Sequence, residues 1–351
     1  MEAEVLIRTE GRAGRITLNR PAALNALTPG MVAAIRAALE DWRNEAGVRL
    51  VIIDAAGQRA FCAGGDIAEL YARGRRGDFD FARDFWRAEY AMNDAIARYP
   101  VPVAAFIQGF CMGGGVGVAC HAGHRIVGES ARIAMPECGI GLVPDVGGSL
   151  LLSRAPAGVG PWLALTGARM EPAAAIEAGF ADLFIPETRW SEVQAALAET
   201  GNPAVLEGFA GPPPSGTPLP TGALRQAFAA PTLSGVAEAL SHCAGPEAEQ
   251  ARAAISRGSP LAMATALALQ ARLRATPDLR TALSLEYRAA RRLLKIGDFL
   301  EGIRARLIDR DDTPRWRHAG PQAVSDPEVM AMLAPLEGDE MQFADQERTA
   351  P

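Results

Sequence analysis

Lysine is almost missing from this chain: of 35 basic residues, one (Lys295) is a lysine and the other 34 are arginines. Chemistry that needs a lysine amine, such as a Schiff base, therefore has a single candidate. Positive charge is not in excess either. Against 41 acidic residues the net charge is −6, so the basic footprint of a nucleic-acid binder is absent and no nucleic-acid partner is expected. Cysteine is scarce and unpatterned: there are five, at 62, 111, 120, 138 and 243, with no Cys-x-x-Cys. An odd, unpatterned set excludes a disulfide framework and fits a reducing compartment. His121 and His124 are three apart, but no His-Glu-x-x-His and no Cys/His ladder accompany them, so no metal is expected. There is no Gly-Lys-Ser/Thr phosphate loop, no Gly-x-Ser-x-Gly elbow and no Gly-x-Gly-x-x-Gly. These absences argue against a P-loop nucleotidase, a serine hydrolase of the elbow type and a dinucleotide enzyme. The opening, Met1-Glu2-Ala3-Glu4-Val5, is acidic and carries no apolar run, so no secretory signal and a cytoplasmic location are expected.

The one stretch without charge runs from Val101 to Gly123, long enough for a membrane span. It contains Pro102 and glycines at 109, 113, 114, 115, 117 and 123, which suit a buried strand, loop and helix better, so no membrane association is expected. The 351 residues are 49% hydrophobic and 22% charged, the composition of an ordinary globular chain with one large domain or a domain and an appendage.

Local patterns predict an α/β core. Glu4–Arg8 and Arg15–Leu18 read as hairpin strands about Glu10-Gly11-Arg12. Thr28-Pro29 supplies an N-cap and first-turn proline for a helix to about Ala46, with Met31, Ile35, Ala38, Leu39 and Trp42 on one face. Leu50–Ile53 and Val103–Ile107 are buried strands; Arg125–Gly128 and Ile133–Ala134 are shorter ones. Helices are predicted from Ile67 towards Ala72, from Asp80 to Arg98, and from the glycine cluster to about Ala122, with Arg73–Gly77 a solvated loop. The strand–loop–helix order repeats, as parallel crossovers require. We divide the chain into a core with the site over 1–200, a Pro/Gly-rich linker over 201–222, a helical C-terminal region over 223–318 and a partly ordered tail over 319–351.

Two glycine loops each follow a strand and precede a helix: Gly64-Gly65 and Gly113-Gly114-Gly115. Glycine admits a close approach by a ligand, and a helix start leaves amides unpaired. Two such amides converging on a carbonyl oxygen make an oxyanion hole; the alternatives are tight packing or a nucleotide loop. Further on, Met135-Pro136-Glu137 and Val143-Pro144-Asp145-Val146-Gly147-Gly148 place two carboxylates among Ile140, Leu142 and Val143. Apolar surroundings raise a carboxyl's proton affinity, which suits acid–base work. The structural alternative is that Asp145 caps a helix beginning near Gly147 and Glu137 pairs with an arginine.

At these residues the chain resembles the crotonase (enoyl-CoA hydratase/isomerase) superfamily. The likeness lies in Asn19-Arg-Pro-Ala-Ala-Leu-Asn25-Ala-Leu27, Ala60-Phe-Cys-Ala-Gly-Gly-Asp66, the Gly113–Gly115 loop and Met135-Pro-Glu137. Phe85-Trp-Arg-Ala-Glu89-Tyr90, Gly141-Leu-Val-Pro-Asp145, Ser284-Leu-Glu-Tyr287 and Asp298-Phe-Leu-Glu-Gly-Ile-Arg304 extend it to about residue 318 and towards its acyl-CoA hydrolase branch. The resemblance implies a spiral of β-β-α turns with a helical C-terminal region. It implies hydrolysis of a short β-hydroxyacyl-CoA, with no cofactor beyond the coenzyme A carried by the substrate. By the same likeness Glu137 and Asp145 are the catalytic pair, Gly65 and Gly114 give the oxyanion amides, and Glu89, Ala23, Asn25, Cys62 and Gly64 contact substrate. With a net charge of −6, the anionic coenzyme is not attracted at long range, so local amides and arginines must hold it. A hydratase of the superfamily carries a second glutamate after the glycine cluster; here that position is Gly117. Open alternatives are a hydratase or isomerase using Glu137 alone and a non-catalytic CoA-binding protein. The superfamily also makes a homo-oligomer an open state.

Overall fold

A computed structural model describes residues 3–343. By packing they form two compact units, each gathered from three separated stretches of chain. The first takes the residues up to Gly65, Ala88–Ala134 and Arg169–Pro218; the second takes Asp66–Arg87, Met135–Ala168 and the residues from Leu219 on.

The first unit holds the sheets. Its strands are β1 (Val5–Glu10), β2 (Ala13–Leu18), β3 (Leu50–Ala55), β4 (Ala60–Cys62), β5 (Val103–Ile107), β6 (Phe110–Met112), β7 (His124–Val127), β8 (Arg132–Ala134) and β9 (Leu183–Phe184). Six of them form one sheet in the order β1-β2-β3-β5-β7-β9, and three form a second in the order β4-β6-β8. Consecutive strands β3/β4, β5/β6 and β7/β8 thus divide between the two sheets, the first of each pair joining the larger one. This is the expected spiral of β-β-α turns. The β1–β2 hairpin is antiparallel, and the other pairings, including both in the small sheet, are parallel.

Parallel strands are covered on both faces and read as unbroken apolar runs. Leu50–Ile53 and Val103–Ile107 are buried at every position. Alternate residues Leu50, Ile52, Ala104 and Phe106 join Val193 and Leu197 in one core cluster, so the Trp190–Thr200 helix packs on one face of the sheet. Trp190 meets Phe106 edge-on at 5.3 Å. The predicted helix start at Thr28 is present: its hydroxyl accepts from the Met31 amide at 3.1 Å, and the helix runs Pro29–Trp42. The helix after the glycine cluster stops at Ala119, short of the expected Ala122. Three glycines in six residues propagate a helix poorly, and β7 begins at His124.

The second unit is helical, with Leu233–Ser241, Pro246–Arg257, Pro260–Ala275 and Leu279–Ile296 its longer C-terminal helices. Thr232, Ser259 and Asp278 cap three of them. The helix expected to end near Ala72 continues to Gly74, because Arg73 bonds Glu69 one turn back and Asp78 ahead. Residues 319–343 carry a helix, Asp326–Leu333, with a Ser325/Glu328 capping box. Beyond it Asp339 bonds Arg87 and Arg291, each at 2.9 Å. Positions 344–351 of the predicted tail lie outside the described residues. Among the described residues no helix is long and apolar enough to cross a membrane, and Val101–Gly123 forms β5, β6 and a short helix instead.

Candidate active site

In the first unit β4 and β6 are parallel neighbours, so the loops after them leave from the same edge of the sheet, where α/β folds place their ligands. Those loops are the two glycine motifs. The Gly65 amide nitrogen lies 3.4 Å from the point a Cβ on Gly114 would occupy, and Gly114 N lies 4.0 Å from the matching point on Gly64. Gly113 sits at φ 48°, ψ −120°, a conformation closed to side-chain-bearing residues. It turns the chain sharply just before the Gly114 amide. The other loop is fixed by backbone: Leu27 N donates to Gly64 O at 2.8 Å and Ala63 N to Leu24 O at 3.0 Å.

Glu89, Cys62 and Asn25 gather around these loops. Glu89 is buried, at 3% exposure, and its Oε1 is 2.6 Å from the Gly114 Cβ position. Glu89 therefore lies inside the protein, while Arg87, two residues earlier, bonds Tyr287 Oη and Asp339. Cys62 is buried, donates to Gly64 O at 3.6 Å, and has its thiol pushed up to about 12 by burial and further by the Glu89 charge. Such a thiol is not a thiolate nucleophile at neutral pH. Asn25 accepts from Arg20 N at 2.8 Å and donates to Ala56 O and Ala60 O, each at 3.0 Å. Its side chain braces the 20–26 turn, leaving backbone atoms of that turn, with exposed Ala23, for any ligand contact.

The acid-bearing segment belongs to the second unit. Glu137 opens a 3₁₀ turn, Glu137–Ile140, and is 5% exposed. Its backbone oxygen accepts from Leu142 N at 3.0 Å, and Cys138 O accepts from Ser259 N at 2.9 Å. Gly141 follows at φ +78°, with Asp298 O 2.3 Å from where its Cβ would be, so no larger residue fits against that backbone. Ser259 Oγ donates to Asp298 Oδ2 at 2.6 Å, tying together the two C-terminal stretches that flank the turn. The neighbouring Cys138 thiol is pushed up by burial and by Glu137.

Asp145, also 5% exposed, precedes Val146 at φ +52° and Gly147 at φ +79°. The helix Gly148–Arg154 then starts with Gly147 at its N-cap. Asp145 is not that N-cap. The cap comes instead from Glu286, which accepts from Gly147 N at 2.7 Å, from Ser149 N at 3.0 Å and from Ser149 Oγ. Glu286 is wholly buried, and burial, with Asp145 nearby, pushes its carboxyl up to about 8. It was not among the predicted site residues. A signal was present, however: Glu286 stands in the buried stripe of Leu279–Ile296, between Ala282 and Leu283 one turn before and Ala289 and Ala290 one turn after. A lone glutamate on such a stripe needs partners. Among the described residues no group of three or more His, Cys, Asp or Glu is arranged to hold a metal ion.

Spiral, glycine loops and buried acids together define the class: the chain belongs to the enoyl-CoA hydratase/isomerase family, whose model matches residues 13–333, and is an enzyme of that family. Among characterised relatives it is 35% identical over 353 residues to the mitochondrial 3-hydroxyisobutyryl-CoA hydrolase of Rattus norvegicus, spanning 97% of this chain and 91% of the relative. The chicken protein of the same name is 34% identical over 357 residues, with the same coverage of both chains. Of solved structures, an enoyl-CoA hydratase from Rhodobacter sphaeroides is 52% identical with a TM-score of 0.89, covering 97% of this chain and 100% of that one. A carnitinyl-CoA dehydratase from Mycobacterium thermoresistibile is 39% identical with a TM-score of 0.90, covering 98% and 99%.

Proposed function

We propose that the protein hydrolyses a short β-hydroxyacyl-CoA thioester, with 3-hydroxyisobutyryl-CoA the substrate and 3-hydroxyisobutyrate and coenzyme A the products, a step of valine breakdown. One residue carries the choice of hydrolysis over hydration: Gly117, where a hydratase of the family has its second glutamate. Water addition to a double bond needs one group to position water and another to deliver a proton, and a glycine does neither. A hydrolase instead needs an oxyanion site and an acid–base pair, for which Gly65, Gly114, Glu137 and Asp145 are the candidates. The relatives named as 3-hydroxyisobutyryl-CoA hydrolases support the substrate.

In this assignment the amides of Gly65 and Gly114 donate to the thioester oxygen and stabilise the negative charge that grows on it as its carbon becomes tetrahedral. Glu137 either attacks that carbon, forming an anhydride that water then opens, or takes a proton from the attacking water. On either route the C–S bond breaks, the thiolate leaves and is protonated, and one water is consumed. Asp145 orients the water or the substrate hydroxyl and relays the proton. Glu89 contacts the substrate, and the backbone at Ala23, Asn25 and Cys62–Gly64 contacts the nucleotide portion. No cofactor is required, and the location is cytoplasmic.

The 52% identical structure named as an enoyl-CoA hydratase favours a second reading, hydration by Glu137 alone. A panel of acyl-CoA thioesters followed by thiol release separates the two. We expect thiol release from 3-hydroxyisobutyryl-CoA, with Glu137→Gln lowering it by about 10²–10⁴-fold, the scale of a lost acid–base or nucleophilic group. Turnover of crotonyl-CoA without free thiol overturns hydrolysis, and undiminished release by the Gln variant overturns the role of Glu137.

A further inference from the structure

Helix starts ordinarily have one amide capped by a Ser, Thr, Asp or Asn side chain at the N-cap itself. At Gly148–Arg154 the N-cap is Gly147, which has no side chain, and the cap arrives from a helix 139 residues further along, as the Glu286 carboxyl bonded to Gly147 N. The same carboxyl also takes Ser149 N and Ser149 Oγ. Three donors on both sides of Gly148 thus converge on one fully buried group. Burying a carboxyl beside Asp145 is a costly way to cap a helix. A serine at the N-cap would satisfy one amide without it, but would leave the preceding residues free to shift. Those residues are Asp145 and Val146, and Val146 is held at φ +52°, a region that β-branched residues leave unless the surroundings compel them.

We propose that Glu286 is a positioning residue: by clamping Gly147 and Ser149 it fixes the turn that presents Asp145 to the reaction. The role rests on the assignment of Asp145 above, and Glu286 itself acts through that turn. Replacing Glu286 by Gln preserves size but puts an NH2 where at least one of the three donors must be accepted.

The test is a double-mutant cycle on kcat and KM with Glu286→Gln and Asp145→Asn, on full-length protein whose folding is checked by thermal unfolding. Glu286→Gln alone lowers kcat by about 10–100-fold, the scale of an ångström-sized misplacement, with KM changed by less than about threefold. In the Asp145→Asn background the same substitution changes kcat by less than about threefold, since residues acting as a unit are not additive. Ser149→Ala removes one of the three donors and keeps Glu286; it gives a smaller fall that also vanishes with Asp145→Asn, and it carries the test if the Gln variant does not fold. Equal fold-losses in both backgrounds, or an unchanged kcat, overturn the role. If the wild type hydrates crotonyl-CoA without releasing thiol, hydrolysis fails on that result alone, and the cycle run on hydration decides the positioning role separately.

Discussion

The glycine loops of the first unit and the acid-bearing segment of the second are immobilised by opposite means. The loops are set by backbone: parallel pairing of β4 with β6, main-chain bonds from Leu27 and Ala63, and glycines that leave no room for a side chain. The segment 137–149 has no strand to hold it. It is gripped by Ser259, Asp298 and Glu286, residues 110 or more positions downstream. Amide donors tolerate backbone support because they are backbone. Carboxylates at the ends of side chains need their own turns fixed from outside, and that is what the C-terminal helices supply.

Breaking the backbone side of this contrast gives the largest effect. In Gly114→Ala the new methyl meets Glu89 Oε1 at 2.6 Å and Leu27 Cδ1 at 2.9 Å, so either those buried side chains or the Gly114 amide must give way. We expect kcat for thiol release to fall about 10²–10³-fold, as for the loss of one oxyanion donor; steady-state kinetics on the folded variant checks it.

The side-chain grip is broken by Ser259→Ala, which deprives the buried Asp298 Oδ2 of its donor. Denaturant unfolding should show a loss of about 1–3 kcal/mol. Asn25→Ala probes the other region in the same measurement, since it strands Arg20 N, Ala56 O and Ala60 O, and a loss of about 1–3 kcal/mol is again expected. If the contrast holds, the Ser259 change also lowers kcat in the Glu137-dependent step; stability loss without any change in kcat would count against it.

A pH series sharpens the comparison further. The Glu286 carboxyl is raised from an ordinary 4.5 to about 8, so between those values the folded chain keeps a proton that the unfolded chain has released. Stability from this group is full below about 4.5 and is lost as pH climbs to about 8. The Tm of wild type relative to Glu286→Gln should therefore decline over that window and level off above it. Both carboxyl oxygens retain acceptor capacity when protonated, so the clamp persists in either form. The smallest effect concerns thiols. With Cys62, Cys111, Cys120 and Cys138 buried and Cys243 half-exposed, iodoacetamide at pH 8 should label Cys243 in the folded protein and spare Cys62, as read by mass spectrometry.

Elements with a strong local code were legible in the amino-acid order. Val103–Ile107 is a strand at the expected residues, and Thr28-Pro29 begins a helix as capping chemistry requires. The glycine motifs were legible too, because Gly64-Gly65 follow β4 and precede a helix, and Gly113–Gly115 follow β6 and open the next helix. What stayed hidden was long-range. The periodicity that identifies Leu279–Ile296 as a helix does not say that Glu286 reaches Gly147 and Ser149. Nor did a glutamate next to Arg87 announce that Arg87 turns to Tyr287 and Asp339 while Glu89 lies inside. In both helices an acid occupies the apolar stripe, and its partners are set by tertiary packing rather than by neighbours in sequence.

The Glu137 turn rests on Ser259, Asp298 and Gly302, which leave the ribosome more than a hundred residues after it. During synthesis the Glu137 turn therefore remains without this framework until residue 302 has emerged. Contacts so distant along the chain form slowly, so the support of the Glu137 turn assembles after both glycine loops have been synthesised. A premature stop before residue 259 yields a product with both glycine loops encoded and without Ser259, Asp298 or Gly302 to support the Glu137 turn.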